Sequence, residues 1–187
     1  MDPKLQKIYD EAEADMKKAI EHLESELAKI RAGKVVPELV ESIKVDYYGT
    51  QMPLNQLASI NNLDARTLVI KPWDKGALEA IDRAIQEANL GVNPTNDGEV
   101  IRLAFPPLSE ETRKNLVKKA HQVGEQARIA IRNIRREAIE QVRKLKKEGI
   151  SEDLARHMEE EIQKLTDKYI KLVDKHIDKK EKEILEV

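Results

Sequence analysis

The sequence predicts an α+β protein, an elongated antiparallel three-helix bundle with a small α/β domain inserted between its first and second helices. Two observations carry this reading. Three long stretches repeat apolar residues every three or four positions, the period of an amphipathic helix. Six of the seven prolines and five of the seven glycines lie between Gly33 and Pro107, which marks that region as separately built.

The first stripe is Leu5, Ile8, Ala12, Met16, Ala19, Leu23, Leu27 and Ile30. Asp2 is placed to cap it, Pro3 suits the first helical position, and Gly33 ends the run. The second begins after Pro106-Pro107, with Ser109 as N-cap and Glu110 and Glu111 in the first turn. Its stripe is Leu116, Ala120, Val123, Ala127, Ile131, Ile134, Ala138, Val142 and Leu145, and Gly149 stops it. Ser151 caps the third, whose stripe is Leu154, Met158, Ile162, Leu165, Tyr169, Leu172 and His176. Beyond about residue 178 the charge density predicts a frayed or projecting end. Helices of roughly 30–37 residues are about 45–55 Å long. Single apolar stripes of that length must pack on one another. The short turn between Gly149 and Ser151 makes the second and third antiparallel.

Inside the insert, Leu39, Ile43, Val45 and Tyr47 alternate as a strand ending at Gly49. Residues 54–60 form a second candidate strand and 67–71 a clear short one. Asp74 can cap a helix running to Leu90, with Leu78, Ile81 and Ile85 on one face. Asn96-Asp97-Gly98 signals a turn before a last strand over 100–105. Trp73 and Phe105 are assigned to the core of this domain. Tyr47 and Tyr48 point to opposite faces, so at most one is exposed. The expected division is therefore residues 1–32 and 106–187 for the bundle and 33–105 for the insert. Two short crossings, 31–37 and 105–107, form a hinge in which Gly33, Lys34, Pro37, Pro106 and Pro107 are the candidate residues.

Composition narrows the function. There is no cysteine, hence no disulfide, no thiol nucleophile and no Cys-ligated metal. No apolar span reaches membrane length, which points to a cytoplasmic protein. The four histidines show no paired metal spacing; His176 is expected to be half-buried and the others solvated. No nucleophile–base pair or phosphate loop is visible, so no enzyme activity, metal or cofactor is expected. The net charge of −2 conceals strong segregation. Residues 113–147 hold 12 basic and 3 acidic side chains, a net of +9, while residues 1–30 and 151–187 each carry −3. A nearly neutral chain with one very basic segment calls for a localised anionic partner.

That segment contains Arg128, Arg132, Arg135 and Arg136, at i, i+4, i+7 and i+8, on one helical face. Ile131, Ile134 and Ala138 lie opposite. Arginine suits phosphate because its planar fork binds two oxygens at once. A rigid row of forks fits the backbone of a folded RNA. Arg31 and Lys34, and Arg113, Lys114, Lys118 and Lys119, could extend the patch. The alternatives from the residues alone are a solvated face with salt bridges inside the bundle, or a helical interaction protein whose long arms hold protein clients.

The string Arg132-Asn133-Ile134-Arg135-Arg136 resembles a signature of the bacterial ribosome recycling factor family. So do Val45-Asp46-Tyr47-Tyr48-Gly49-Thr50, Pro53-Leu54-Asn55-Gln56-Leu57-Ala58 and Arg66-Thr67-Leu68. Asp74-Lys75, Leu90-Gly91-Val92-Asn93-Pro94, Gln163-Lys164-Leu165-Thr166-Asp167 and Lys29-Ile30-Arg31-Ala32-Gly33-Lys34 extend the match over essentially the whole chain. The resemblance implies an L-shaped molecule, similar to tRNA in outline, that acts as a monomer and hydrolyses nothing itself. It implies binding to rRNA of the large ribosomal subunit after termination. With elongation factor G and GTP, such a factor separates the subunits and frees mRNA and tRNA. DNA and membranes are not among its partners. It further implies that Arg135 is the principal RNA contact, aided by Arg31, Arg128, Arg132 and Arg136.

Overall fold

The computed structural model describes residues 2–186. The chain divides into two units, one of Met1–Leu27 with Lys118–Glu181, the other of Ala28–Val117 with Lys182–Val187.

The first unit is made from most of three long helices, α1 (Pro3–Ala28), α3 (Glu110–Lys147) and α4 (Glu152–Leu185); α2, α3 up to Val117 and α4 from Lys182 belong to the other unit. Each begins where a side chain replaces a missing backbone partner. The Asp2 carboxylate accepts from the Lys4 amide at 2.7 Å, Ser109 Oγ from Thr112 at 3.1 Å, and Ser151 Oγ from Leu154 at 3.1 Å. Gly149, at φ +114°, closes α3, and the Ile150 amide donates back to the Leu145 carbonyl at 3.1 Å. That bond is the outer closure of a Schellman turn, which needs a residue at positive φ. His121 meets Glu181, Arg128 meets Asp174 and Arg143 meets Glu159, a descending ladder that makes α3 and α4 antiparallel. Leu5, Met16 and Leu23 of α1, Ile131 and Val142 of α3, and Met158 and Ile162 of α4 are almost wholly buried.

Two expectations about α4 are corrected. Ala155 and Val173 take the core positions expected of Leu154 and Leu172, Leu154 is 42% exposed, and Ile177 is buried beside the half-buried His176. A helix wedged between two neighbours buries a wider arc than a single stripe. Thr166 is buried within that arc, its hydroxyl donating to the Ile162 carbonyl at 2.8 Å. The expected fraying beyond residue 178 is also absent: α4 continues to Leu185, and Ile184 is completely buried in the second unit. Charges on the other faces of a helix do not stop one apolar residue from docking.

The second unit holds two antiparallel sheets and one short helix. Strand β1 (Lys44–Tyr47) pairs with β2 (Thr50–Pro53) across Tyr48 and Gly49, at φ +48° and +80°. Positive φ at both central residues is the two-residue hairpin geometry matching strand twist. The other sheet has the order β3-β4-β6-β5, with β3 (Ala58–Asp64), β4 (Thr67–Pro72), β5 (Thr95–Asn96) and β6 (Ile101–Ala104). Helix α2 (Leu78–Glu87) follows a 3-10 turn that Asp74 caps by accepting from the Gly76 amide at 2.9 Å. Val35, Val45, Leu54, Leu68, Ile70, Ile81, Ile101 and Leu103 are fully buried in one cluster.

Three expectations differ here. Residues 54–60 are not one strand: a 3-10 turn over Leu54–Gln56 buries Leu54 before β3 begins. The β1 ladder ends at the Lys44–Pro53 pair, and the Leu54 amide then donates to the Ile43 carbonyl at 2.9 Å as the turn begins. The first strand starts only at Lys44, because Pro37–Leu39 forms another 3-10 turn. Trp73 is 66% exposed rather than core, since β4 ends at Pro72 and the chain turns outward into the Asp74 cap. Phe105 is buried as expected, and of the tyrosine pair Tyr48 is the exposed member, at 79%.

Candidate nucleic-acid interface

The arginine face is a consequence of how α3 is pinned. Ala127, Ile131 and Ala138 are buried, which turns the intervening Arg132, Asn133, Arg135 and Arg136 away from the core. The four arginines are not equivalent. Arg128 is braced inside the bundle: its Nη2 lies 2.6 Å and its Nε 3.1 Å from Asp174 Oδ1 on α4, and its Nη1 lies 3.0 Å from Glu125 Oε2. Its side chain keeps only 21% of its exposure. Hydrogen bonding to Asp174 raises its pKa, burial opposes that, and Glu125 adds to the rise. The expectation of four guanidiniums turned outward is therefore corrected for Arg128.

Arg132 reaches Glu125 only at 3.8 Å and stays 40% exposed. Arg135 touches the Gln163 side-chain oxygen at 3.5 Å, a neutral partner that leaves its charge unbalanced. Gln163 is itself oriented by donating to Asp167 at 2.9 Å. Arg136 is exposed and donates to Asn133 at 3.1 Å. Three guanidiniums on a rigid helix thus retain donors for an anion.

Arg31 lies in the other unit. Its guanidinium donates to the Pro106 carbonyl and sits 5.1 Å from the centre of the Phe105 ring. Burial, followed by repulsion from Arg66, lowers its pKa. The expected hinge residues Gly33, Lys34, Pro37, Pro106 and Pro107 all fall within this second unit, and Arg31 ties one crossing to the other.

One basic face was missed from the sequence. Lys164, Lys168, Lys171 and Lys175 line a cavity of about 570 Å³ on α4, together with Asp167 and Leu172. The i, i+4, i+7, i+11 spacing was visible, but the net charge of the surrounding segment, −3, masked it. His176 is 28% exposed and 3.5 Å from Glu24 on α1, as its half-buried assignment implied. Among the described residues no group of His, Asp and Glu is arranged to hold a metal ion, and no helix is long and apolar enough to cross a membrane.

The fold and this face define a class: an α+β chain with a long helical bundle whose second helix carries a braced row of guanidiniums. A family profile described as ribosome recycling factor matches residues 23–185. The ribosome-recycling factor of Carboxydothermus hydrogenoformans is 54% identical over 184 residues, covering 98% of this chain and all of the relative. That of Symbiobacterium thermophilum is 52% identical over 181 residues, covering 96% and 98%. A solution structure of a ribosome recycling factor superposes with a TM-score of 0.79 at 47% identity over the full length of both chains. A second neighbour, at TM-score 0.67 and 47% identity, covers 97% of this chain and 98% of its own. It belongs to models of the T. thermophilus ribosome recycling factor and E. coli elongation factor G bound to the E. coli post-termination complex. The chain belongs to the ribosome recycling factor family.

Proposed function

We propose that this protein acts after termination by binding rRNA of the large ribosomal subunit, and that with elongation factor G and GTP it separates the subunits and releases mRNA and tRNA. The observation that carries the reading is the row Arg132, Arg135 and Arg136 on α3, rigidly held and short of carboxylate partners. Arg135 is the principal contact in this reading. Arg128 contributes by holding α3 against α4, and Arg31 acts from its site beside Pro106 and Phe105. Phosphates provide most of the affinity in such interfaces, and guanidinium forks fix the register.

The mechanism is mechanical. The arginine face grips rRNA, the GTPase partner pushes on the elbow and the inserted domain of residues 33–105, and the crossings at residues 31–37 and 105–107 give the freedom for that displacement. The protein works in the cytoplasm as a monomer without catalysing a reaction, and needs neither cofactor nor DNA nor membrane. A neighbour placed with elongation factor G on a post-termination complex supports the choice of partners.

Sucrose-gradient sedimentation of post-termination ribosomes with the protein, elongation factor G and GTP tests this. Subunits should separate only when all three are present. Arg135→Ala should unfold within about 0.5 kcal/mol of the parent, because its half-buried side chain holds only the 3.5 Å contact with neutral Gln163. Its ribosome affinity should fall, with the salt slope reduced by about 0.7–0.9 for each phosphate it no longer neutralises. A folded Arg135→Ala protein that binds ribosomes normally would sink the assignment of the face.

A further inference from the structure

The second unit contains a cavity of about 460 Å³ beside the two crossings, to which the proposed function assigns no ligand. Three distant segments bring cations to it: Lys34 follows α1, Arg66 sits in the turn between β3 and β4, and Arg113 lies in the first turns of α3. Glu183 and Glu186, from the end of α4, line the same space. Among the described residues, the side chains of these five make no hydrogen bond or ion pair. The Nε of Arg113 is shut off from solvent without an acceptor, and so is that of Arg31, whose charge Arg66 repels. Cations and carboxylates therefore share one cavity without a direct ion pair between them. Buried donors that find no acceptor are rare in folded proteins and call for a ligand or water.

The mixture of charges selects the ligand. An acidic peptide would be repelled by the two glutamates, and a basic one by the three cations. A phosphodiester with neighbouring hydroxyls satisfies both halves. Guanidiniums and an ammonium receive its phosphate, while carboxylates accept hydrogen bonds from ribose hydroxyls, the group that distinguishes RNA from DNA. The volume lies within the roughly 300–1,000 Å³ of small-ligand sites.

We infer that this cavity receives one nucleotide of RNA, its phosphate against Arg66, Arg113 and Lys34 and its ribose hydroxyls against Glu183 and Glu186. The inference rests on the reading of the partner as RNA, but on none of Arg128, Arg132, Arg135 and Arg136.

The test is a titration of the full-length, ¹⁵N-labelled protein with the trinucleotide UpUpU, its deoxy counterpart and inorganic phosphate. The signals followed are the amides of Lys34, Ala65, Arg66 and Leu108 and the Arg113 Nε–H. The RNA should shift these signals saturably. Arg66→Ala and Lys34→Ala, both exposed positions, should weaken binding by about tenfold each, the value of one charge-assisted hydrogen bond. Glu183→Gln and the deoxy trinucleotide should each weaken it severalfold. Arg132→Ala/Arg135→Ala should leave it unchanged. No shift at these signals would overturn the site. Equal affinity for RNA and its deoxy counterpart, or for inorganic phosphate alone, would overturn the nucleotide assignment. If the double arginine variant still binds ribosomes normally while the cavity responds to RNA, the α3 reading fails and this one stands.

Discussion

Arg128→Ala should destabilise the protein, whereas Arg135→Ala should not, although the two arginines lie on the same helix two turns apart. Arg128 makes two hydrogen bonds to Asp174, at 2.6 and 3.1 Å, and one to Glu125 at 3.0 Å. Hydrogen bonds to charged groups contribute about 1.5–3 kcal/mol each when shielded from water. Asp174 and Glu125 keep 49% and 54% of their exposure, so solvent screening applies and surface pairs give about 0–1 kcal/mol. The half-shielded geometry places the Arg128–Asp174 coupling at about 1 kcal/mol. Loss of the packed methylenes brings the whole Arg128→Ala effect to about 1–2 kcal/mol. Urea unfolding of Arg128→Ala, Asp174→Ala and the double variant isolates the pair term. A coupling below about 0.3 kcal/mol, together with ribosome affinity reduced as severely as in Arg135→Ala, would refute the division between a bracing arginine and contacting ones.

Ile184→Ala should cost about 2–5 kcal/mol in chemical unfolding, because the side chain is completely buried near the end of α4; a loss near zero would restore the frayed end. Gly124→Ala should destabilise by about 1 kcal/mol despite better helix propensity, since its methyl would lie 2.6 Å from Ile177 Cγ1 and closer still to Cδ1. Adding Ile177→Val, which removes Cδ1, should recover part of that loss in the same assay. Asp97 accepts from the Val100 and Glu99 amides and from Arg102, in that order of effect, which lowers its pKa to about 2. A depressed carboxylate contributes stability above its unfolded value of about 3.9 and loses it as pH falls toward 2. Carbon-detected NMR of the Asp97 carboxyl should titrate near 2, and Asp97→Asn should remove that part of the acid dependence.

Much of the architecture was legible in the chain because it depends on local periodicity and punctuation. The caps at Asp2, Ser109 and Ser151 form as read, and Gly149 closes α3, since a capping side chain or a positive φ acts within a few residues. The i, i+4, i+7, i+8 row of arginines was equally visible, because helical geometry alone puts those positions on one face. The family resemblance was legible for a different reason, through short strings spread along the whole chain.

Tertiary structure decided what local pattern could not. Which side of α4 is buried depends on both neighbouring helices, so Ala155 and Val173 displaced Leu154 and Leu172. Trp73 carries a large apolar ring, yet the end of β4 leaves it outside. Composition marked Arg128 and Arg135 alike; only the approach of Asp174, 46 residues away, made one a brace and left the other with neutral Gln163. The cluster of Lys34, Arg66, Arg113, Glu183 and Glu186 likewise exists only once the chain is folded. Charge in a sequence is additive along the chain, but its energy depends on distance and solvent access, and those are properties of the fold.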